Sequence, residues 1–451
     1  MVHKLSGRLS FVLLIAIIVI LATGIISFGL SPIAPLLVAI GLIMIVARLY
    51  GVSWLTSQAA LIKGLESGIA PIFLFLLIGA MIALWSATGV IPTMIWAGFK
   101  ILNPTWFLPT ALMTMAVVGT VIGSAFTTLS TVGVAFMGIG TLMGLNPALV
   151  AGTLLSGAIF GDKSSPLSDS TNLASAISET DLFAHIKNLM WTTLPALILT
   201  LLLAVGFGLG HETHQDISQQ SSAMMAVLQP TWWAIVPIFV LIVTAFLKIP
   251  AVAALTINIF VSSIAFLADH SVQSWSVLLV DGFKTTSTDP TLTALLNRGG
   301  MASMMSTVMI ILLALAMGGL LNGLGILKAV MAPVAKHLKS SRSVILATLA
   351  TGIAANFLVG EQYLATILPG QLFKESFKRV NLSPLALGRT IEDSGTVMNY
   401  LVPWGVAGAF AAQTLHVSVI DFAPFTFFAI LSPVMSVVTA FTGIGLKQRK
   451  Q

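Results

Sequence analysis

The run Gly161-Asp162-Lys163-Ser164-Ser165-Pro166-Leu167-Ser168-Asp169-Ser170-Thr171-Asn172 interrupts an apolar stretch that begins near Pro147. It sets three charges, a proline and six hydroxyl or amide side chains where hydropathy places the middle and exit of a membrane span. An ionised side chain at the bilayer centre costs roughly 2.5–3.5 kcal/mol on insertion scales. The backbone freed by Pro166 must also find a partner other than lipid. Such a segment is tolerated only inside protein or beside a water-filled cavity. There its carboxylates, hydroxyls and freed carbonyls can hold a small cation, which is the chemistry of a broken helix in a secondary transporter.

Further acids stand in apolar surroundings at Glu361, Glu392 and Asp393. Carboxylates crowded into a partly dry site can exchange a proton for a cation near neutral pH, and this is the requirement for coupling Na⁺ to H⁺. Hydroxyls at Thr127, Thr128, Ser168, Ser170 and Thr171 suit Na⁺ as neutral oxygen ligands. Each has a plainer alternative. Lys163 beside Asp162 reads equally as an intramembrane ion pair, Glu392 as the i,i+3 partner of Arg389, and the hydroxyls as donors to their own helix backbone.

The elements that position these residues are membrane helices. Of 451 residues, 57% are apolar and 8% charged, against about 25% charged in soluble domains; the mean hydropathy is +1.01. Long apolar runs, not alternating ten-residue strands, select an α-bundle over a barrel. The net charge of +6 falls in short loops, so positive-inside topology explains it and nucleic-acid binding is excluded. The absence of cysteine removes disulfides, thiolate metal sites and cysteine catalysis. Lys4 and Arg8 precede an apolar run too long for a signal peptide, which reads as a first span.

The chain divides into residues 1–209, a polar linker at 210–229 without Lys or Arg, and 230–451. The first part holds scaffold spans over 9–103, a hairpin at 107–143 expected to consist of two half-length helices, a broken helix at 147–178 and a span at 187–209. The last part holds scaffold spans over 231–338, a hairpin at 343–377, a broken helix at 384–412 and a span at 421–445. His211 and His214 in the linker read as a solvated loop and not a metal site, because an HxxH spacing alone is weak. At an offset of 236, Gly64, Gly89 and Lys100 fall on Gly300, Gly325 and Lys336. At 237, Gly123, Gly133, Pro147 and Pro166 fall on Gly360, Gly370, Pro384 and Pro403.

The expected fold is therefore an all-α polytopic membrane protein of two repeats, with about 10 transmembrane helices, two re-entrant hairpins and broken helices. Five crossings per repeat is odd, so the second repeat enters from the opposite side. With both termini cytoplasmic, only Lys100, Lys284 and Arg298 fall clearly outside, as the positive-inside rule asks of a plasma-membrane protein. Superposing the repeats pairs Asp162 with Asn399, Ser124 with Glu361 and Ser156 with Asp393. The candidate Na⁺/H⁺ site is accordingly Asp162, Asp169, Glu361, Asp393, Asn399, Ser165, Thr171, Asn172 and Thr128.

The run GDKSSPLSDSTNLA (161–174), TDLFAHI (180–186) and NRGG (297–300) resemble the NhaC family of Na⁺/H⁺ antiporters, which includes Na⁺-linked malate/lactate antiporters. The resemblance covers essentially the whole chain. It implies the ion-transporter superfamily arrangement of scaffold and transport parts, with elevator-like alternating access, and carries the family motif onto Asp162, Ser165, Pro166, Asp169, Thr171 and Asn172. The expected activity is Na⁺/H⁺ antiport, with Na⁺ and H⁺ as transported ions, no cofactor, and a homodimer in the bilayer. The alternative is coupled exchange of a small organic acid or amino acid, for which Lys163, Arg389 or helix N-termini would supply the positive charge. An enzyme is not expected, since neither HExxH nor GxSxG occurs and nothing resembles a nucleotide loop.

Overall fold

The computed structural model describes residues 5–66, 68–209, 231–285, 293 and 296–446. The expected linker at 210–229, with its histidines, and the C-terminal Lys447, Arg449 and Lys450 lie outside the described residues. Within them the regular structure is helical, with no strand. The first half comprises α1 (Gly7–Ser27), α2 (Ile33–Leu49), α3 (Trp54–Glu66), α4 (Ile69–Ala87), α5 (Val90–Ile101), α6 (Pro104–Ile122), α7 (Ala125–Leu142), α8 (Pro147–Ser164), α9 (Asp169–Ser178) and α10 (Leu182–Leu209). The second comprises α11 (Trp232–Phe246), α12 (Ala251–Leu267), α13 (Val272–Asp281), α14 (Met301–Gly323), α15 (Ile326–His337), α16 (Ser341–Val359) and α17 (Gln362–Arg379). It ends with α18 (Pro384–Gly395), α19 (Val406–Leu415), α20 (Val419–Phe425) and α21 (Phe427–Thr442).

Among the described residues, seven helices are long and apolar enough to cross a membrane: α1, α4, α6, α7, α10, α14 and α16. The pair α19–α20, bent by 94°, makes an eighth if counted as one span, and α2, α11, α12 and α21 are shorter apolar helices. Large apolar side chains such as Phe11, Leu37, Ile198 and Phe239 point outward, as they must where lipid is the solvent. Trp54, Trp106, Trp191 and Trp232 are at least half exposed, in keeping with anchors at the membrane surface. This is an all-α polytopic membrane protein.

Several elements of the two halves match in length and spacing. α4 and Met305–Gly323, and α5 and α15, begin and end 236 residues apart; α6 and α16, and α9 and α19, do so at 237. Their terminators match too, with left-handed backbone at Gly89 and Gly325, Gly123 and Gly360, Glu179 and His416. Local sequence explains the starts. Asn103, Asn146 and Ser383 each accept a hydrogen bond from a backbone N–H of the helix they cap, and proline follows at the first helical position, where its missing N–H costs nothing. The halves also exchange partners: α2 and α3 pack on α14, while α12 and α13 pack on α4.

The hairpin arms differ from expectation. α6 and α7 are 19 and 18 residues long, roughly 28 Å each at 1.5 Å per residue, and not half-length. They run antiparallel, since a Cβ on Gly133 or Gly140 of α7 would meet Met115 or Phe107 of α6. The chain turns between them at Gly123, whose φ of +73° favours glycine. A Cβ on Gly161 would lie 2.6 Å from the Gly119 backbone. This bare crossing lets α8 approach α6 closely and sets Asp162 beside the hairpin turn.

Candidate cation site

The break between α8 and α9 is built from short polar side chains. Ser168 caps α9, its hydroxyl accepting from the Thr171 N–H, and the Ser165 hydroxyl accepts from the Leu167 N–H at 3.2 Å. The Asn172 amide donates to the Pro166 and Ser168 carbonyls at 3.0 and 2.7 Å. The backbone freed by Pro166 is thus met locally, and two carboxylates remain. Asp162 lies beside the Ser168 hydroxyl and the Ala125 N–H, within electrostatic reach of Asp169 and Glu392.

Asp162 and Asp169 line one cavity of about 400 Å³. Ser170 shares this wall; Gly123, Ser124 and Phe126 of the first hairpin form another, and Gln362 and Tyr363 of the second hairpin a third. The 245–251 turn closes it, bringing Lys248, which is solvent-exposed with a left-handed backbone. Asp169 is exposed and Asp162 partly buried, so the two acids stand at different depths.

The other expected residues go elsewhere. Thr128 donates to the Ser124 carbonyl at 2.8 Å, within its own helix. Glu361 sits at the second hairpin's turn, but its oxygens accept from the Tyr363 and Leu364 N–H groups, both at 2.8 Å, capping α17. Asn399 is fully buried; it donates to Asn356 at 2.9 Å and accepts from the Ala407 N–H at 2.8 Å. Asn356 in turn donates toward the Ser394 and Gly395 carbonyls. The second break is closed by amides.

Asp393 faces Lys163, and not the cavity. The two form a buried ion pair, and Ser432, Ser436 and Thr192 donate to the same carboxylate. Lys163 therefore pairs with Asp393 and not with its neighbour Asp162. Glu392 accepts from Thr171 at 2.7 Å and lies 2.7 Å from His185 Nε2. Arg389 instead donates to the Gly445 carbonyl and the Thr439 hydroxyl. His185 lies in the TDLFAHI run, but nothing in its sequence surroundings points to Glu392, and no sequence feature marks Gln362, Tyr363 or Lys248 as cavity walls. The three cavity residues come from elements remote in the chain, and no spacing announces them.

The fold and site define a polytopic α-helical membrane protein with an acidic cavity at a broken helix. Residues 157–444 match the profile described as the Na+/H+ antiporter family. The chain is 36% identical to the Na(+)/H(+) antiporter NhaC of Alkalihalophilus pseudofirmus, over 99% of this chain and 98% of that protein. It is 34% identical to the Na(+)/H(+) antiporter NhaC of Bacillus subtilis, over 97% of this chain and 98% of that one. With the Malate-2H(+)/Na(+)-lactate antiporter of Bacillus subtilis it shares 30% identity, covering 93% of this chain and 92% of the other. The chain belongs to the Na⁺/H⁺ antiporter family. It is a multi-pass membrane antiporter of small ions, and not an enzyme.

Proposed function

We propose that the protein exchanges Na⁺ for H⁺ across the plasma membrane by alternating access, the two ions competing for Asp162 and Asp169. The observation that carries this reading is the meeting of these two acids in one cavity at the helix break. Na⁺ is a hard cation that takes oxygen ligands, by the chemistry that governs Ca²⁺ and Mg²⁺. Carboxylates here, with the hydroxyls of Ser124, Ser168 and Ser170 alongside, supply them. A proton bound to either carboxylate removes the charge that holds the cation, so one site serves both ions in turn.

The movement we assign is elevator-like. The hairpins and broken helices α6–α10 and α16–α21 travel as the transport part against α1–α5 and α11–α15. The halves are inverted, both termini are cytoplasmic and the assembly is a homodimer. On that topology Lys248 is cytoplasmic, and the cavity is reached from that side. Inversion is tested by single cysteines at Asn103 and Ser340, exposed positions 237 residues apart that precede α6 and α16. Impermeant reagent added outside should label position 103 and spare 340; labelling of both from one side contradicts inversion.

A second reading, coupled exchange of a small organic acid or amino acid, is favoured by two features. The cavity of about 400 Å³ exceeds what a bare ion fills, and Lys248 on its wall could meet a carboxylate. Proteoliposomes decide between the two. Na⁺/H⁺ exchange under a Na⁺ gradient alone, unaltered by malate, lactate or amino acids, supports the first; exchange that needs one of these solutes supports the second.

A further inference from the structure

The Lys163 ammonium has surroundings unlike those of an ordinary ion pair. It donates to Asp393 Oδ1 and, at 2.7 Å, to the Ser432 hydroxyl, and its third side faces the Phe428 ring 5.7 Å away. Ser432 and Ser436 donate to the two carboxylate oxygens at 2.7 and 2.5 Å, and Thr192 lies 3.3 Å from Oδ1. Side chains from α21 and α10 thus set three hydroxyls around the α18 carboxylate, whose side chain is fully buried, and Ser432 also meets the ammonium. A carboxylate and hydroxyls are also what the Asp162–Asp169 cavity offers. The hydroxyls that donate to the carboxylate satisfy its lone pairs in the buried pair, and the same oxygens are ligands that a small monovalent cation beside Asp393 could use.

We propose that Lys163 is a tethered cation that permanently fills a second monovalent-cation site formed by Asp393, Ser432, Ser436 and Thr192. The exchangeable cation is thereby confined to the Asp162–Asp169 cavity. Lys163 follows Asp162 directly in sequence, so the same turn of α8 carries a ligand of the open site and the plug of the closed one. This extends the reading that carried ions bind at Asp162 and Asp169, and it can be tested apart from it.

Without Lys163, Asp393 becomes a buried carboxylate without a counter-charge, which is strongly unfavourable. A site shaped for a cation then recovers the charge from solution, and whatever binds the folded state stabilises it. The experiment uses the full-length chain carrying Asp162→Asn and Asp169→Asn, with and without Lys163→Ala. The melting temperature in detergent is compared in NaCl and in choline chloride of equal strength, together with equilibrium ²²Na⁺ binding. Adding Lys163→Ala should bring a Na⁺-specific rise of about 2 °C or more and ²²Na⁺ binding that its parent lacks. Adding Asp393→Asn should abolish both.

Equal melting in the two salts with no added ²²Na⁺ binding overturns the proposal. So does a Lys163→Ala form that fails to fold in either salt and is rescued by Asp393→Asn, since the carboxylate would then be unmet without recruiting Na⁺. The Asp162–Asp169 reading is judged separately, by whether the parent double variant has lost the Na⁺ response of the wild type. Because Lys163→Ala is scored against that parent, the two readings can fail independently.

Discussion

The two broken helices share a backbone and differ in what fills the break. In α8–α9 the gap is lined by hydroxyls, one exposed amide and two carboxylates that reach a cavity of about 400 Å³. In α18–α19, at the matching position, Asn399 and Asn356 bond to one another and to backbone, both fully buried. Trp404, also buried, donates to the Phe357 carbonyl at 2.7 Å. A broken helix is therefore not itself an ion site. Where neutral amides satisfy the freed backbone, the break is structural; where short side chains satisfy it and acids are left over, it can hold a cation. The hairpin turns repeat the contrast, with Ser124 lining the cavity and Glu361 spending both oxygens on its own helix.

The contrast breaks most visibly at the amide clasp. Asn356→Ala leaves Asn399 and the Ser394 and Gly395 carbonyls short of partners, and each buried unmet group costs about 1–3 kcal/mol. The expected result is a loss of about 3 kcal/mol, read as a lower melting temperature or failed expression, where Asp162→Asn melts close to wild type. Comparable melting of the two variants would mean that the second break is not held by its amides.

A smaller effect is expected at Glu361. Removing a helix cap costs about 0.5–2 kcal/mol, so Glu361→Ala should destabilise in that range while Glu361→Ser, the residue type at the matching turn, should recover most of it. Thermal melts of the two variants check this. Equal loss in both would show that the carboxylate does more than cap.

The smallest effect belongs to the exposed turn between α9 and α10. Lys374 hydrogen-bonds Glu179 at 2.6 Å, and the bond and its charge hold that carboxyl below the ordinary glutamate range. A depressed folded-state pKa contributes stability above the unfolded pKa, and that contribution is lost as pH falls through the folded value. Wild type should therefore be slightly more stable than Glu179→Gln at neutral pH. The difference should fade only below the ordinary glutamate pKa of about 4.3. A gap that persists unchanged under acid conditions would show that this ion pair is not its source.

Much of this was legible in the sequence. Gly89 and Gly325, Gly123 and Gly360, and Pro147 and Pro384 located matched helix ends, because a left-handed glycine or a helix-starting proline is fixed by local backbone chemistry, whereas Gly64, Gly133 and Gly370 lie inside helices. The run around Asp162 announced the first break for the same reason. Side-chain partners were not legible. Lys163 points to Asp393 and not to adjacent Asp162, and Glu392 meets His185 while Arg389, one turn away, reaches Gly445. Such pairings depend on which helix faces lie together, and the repeat offset fixes matched positions without fixing the contacts between helices. The hairpin arms were longer than expected because glycines and hydroxyls, read as interruptions, are absorbed within α7 by a π turn at Leu129–Gly133 and by bonds to its own carbonyls.

On the proposed reading, exchangeable ions bind at the first break, at Asp162 and Asp169, and not at Glu361 of the second half. It is tested most directly by Na⁺-driven proton movement in proteoliposomes bearing Asp162→Asn, beside Glu361→Gln and wild type at matched protein density. Asp162→Asn should lose exchange by at least about tenfold, equivalent to about 1.4 kcal/mol, while Glu361→Gln keeps most of it. Wild-type exchange in Asp162→Asn, with loss in Glu361→Gln, would contradict the reading.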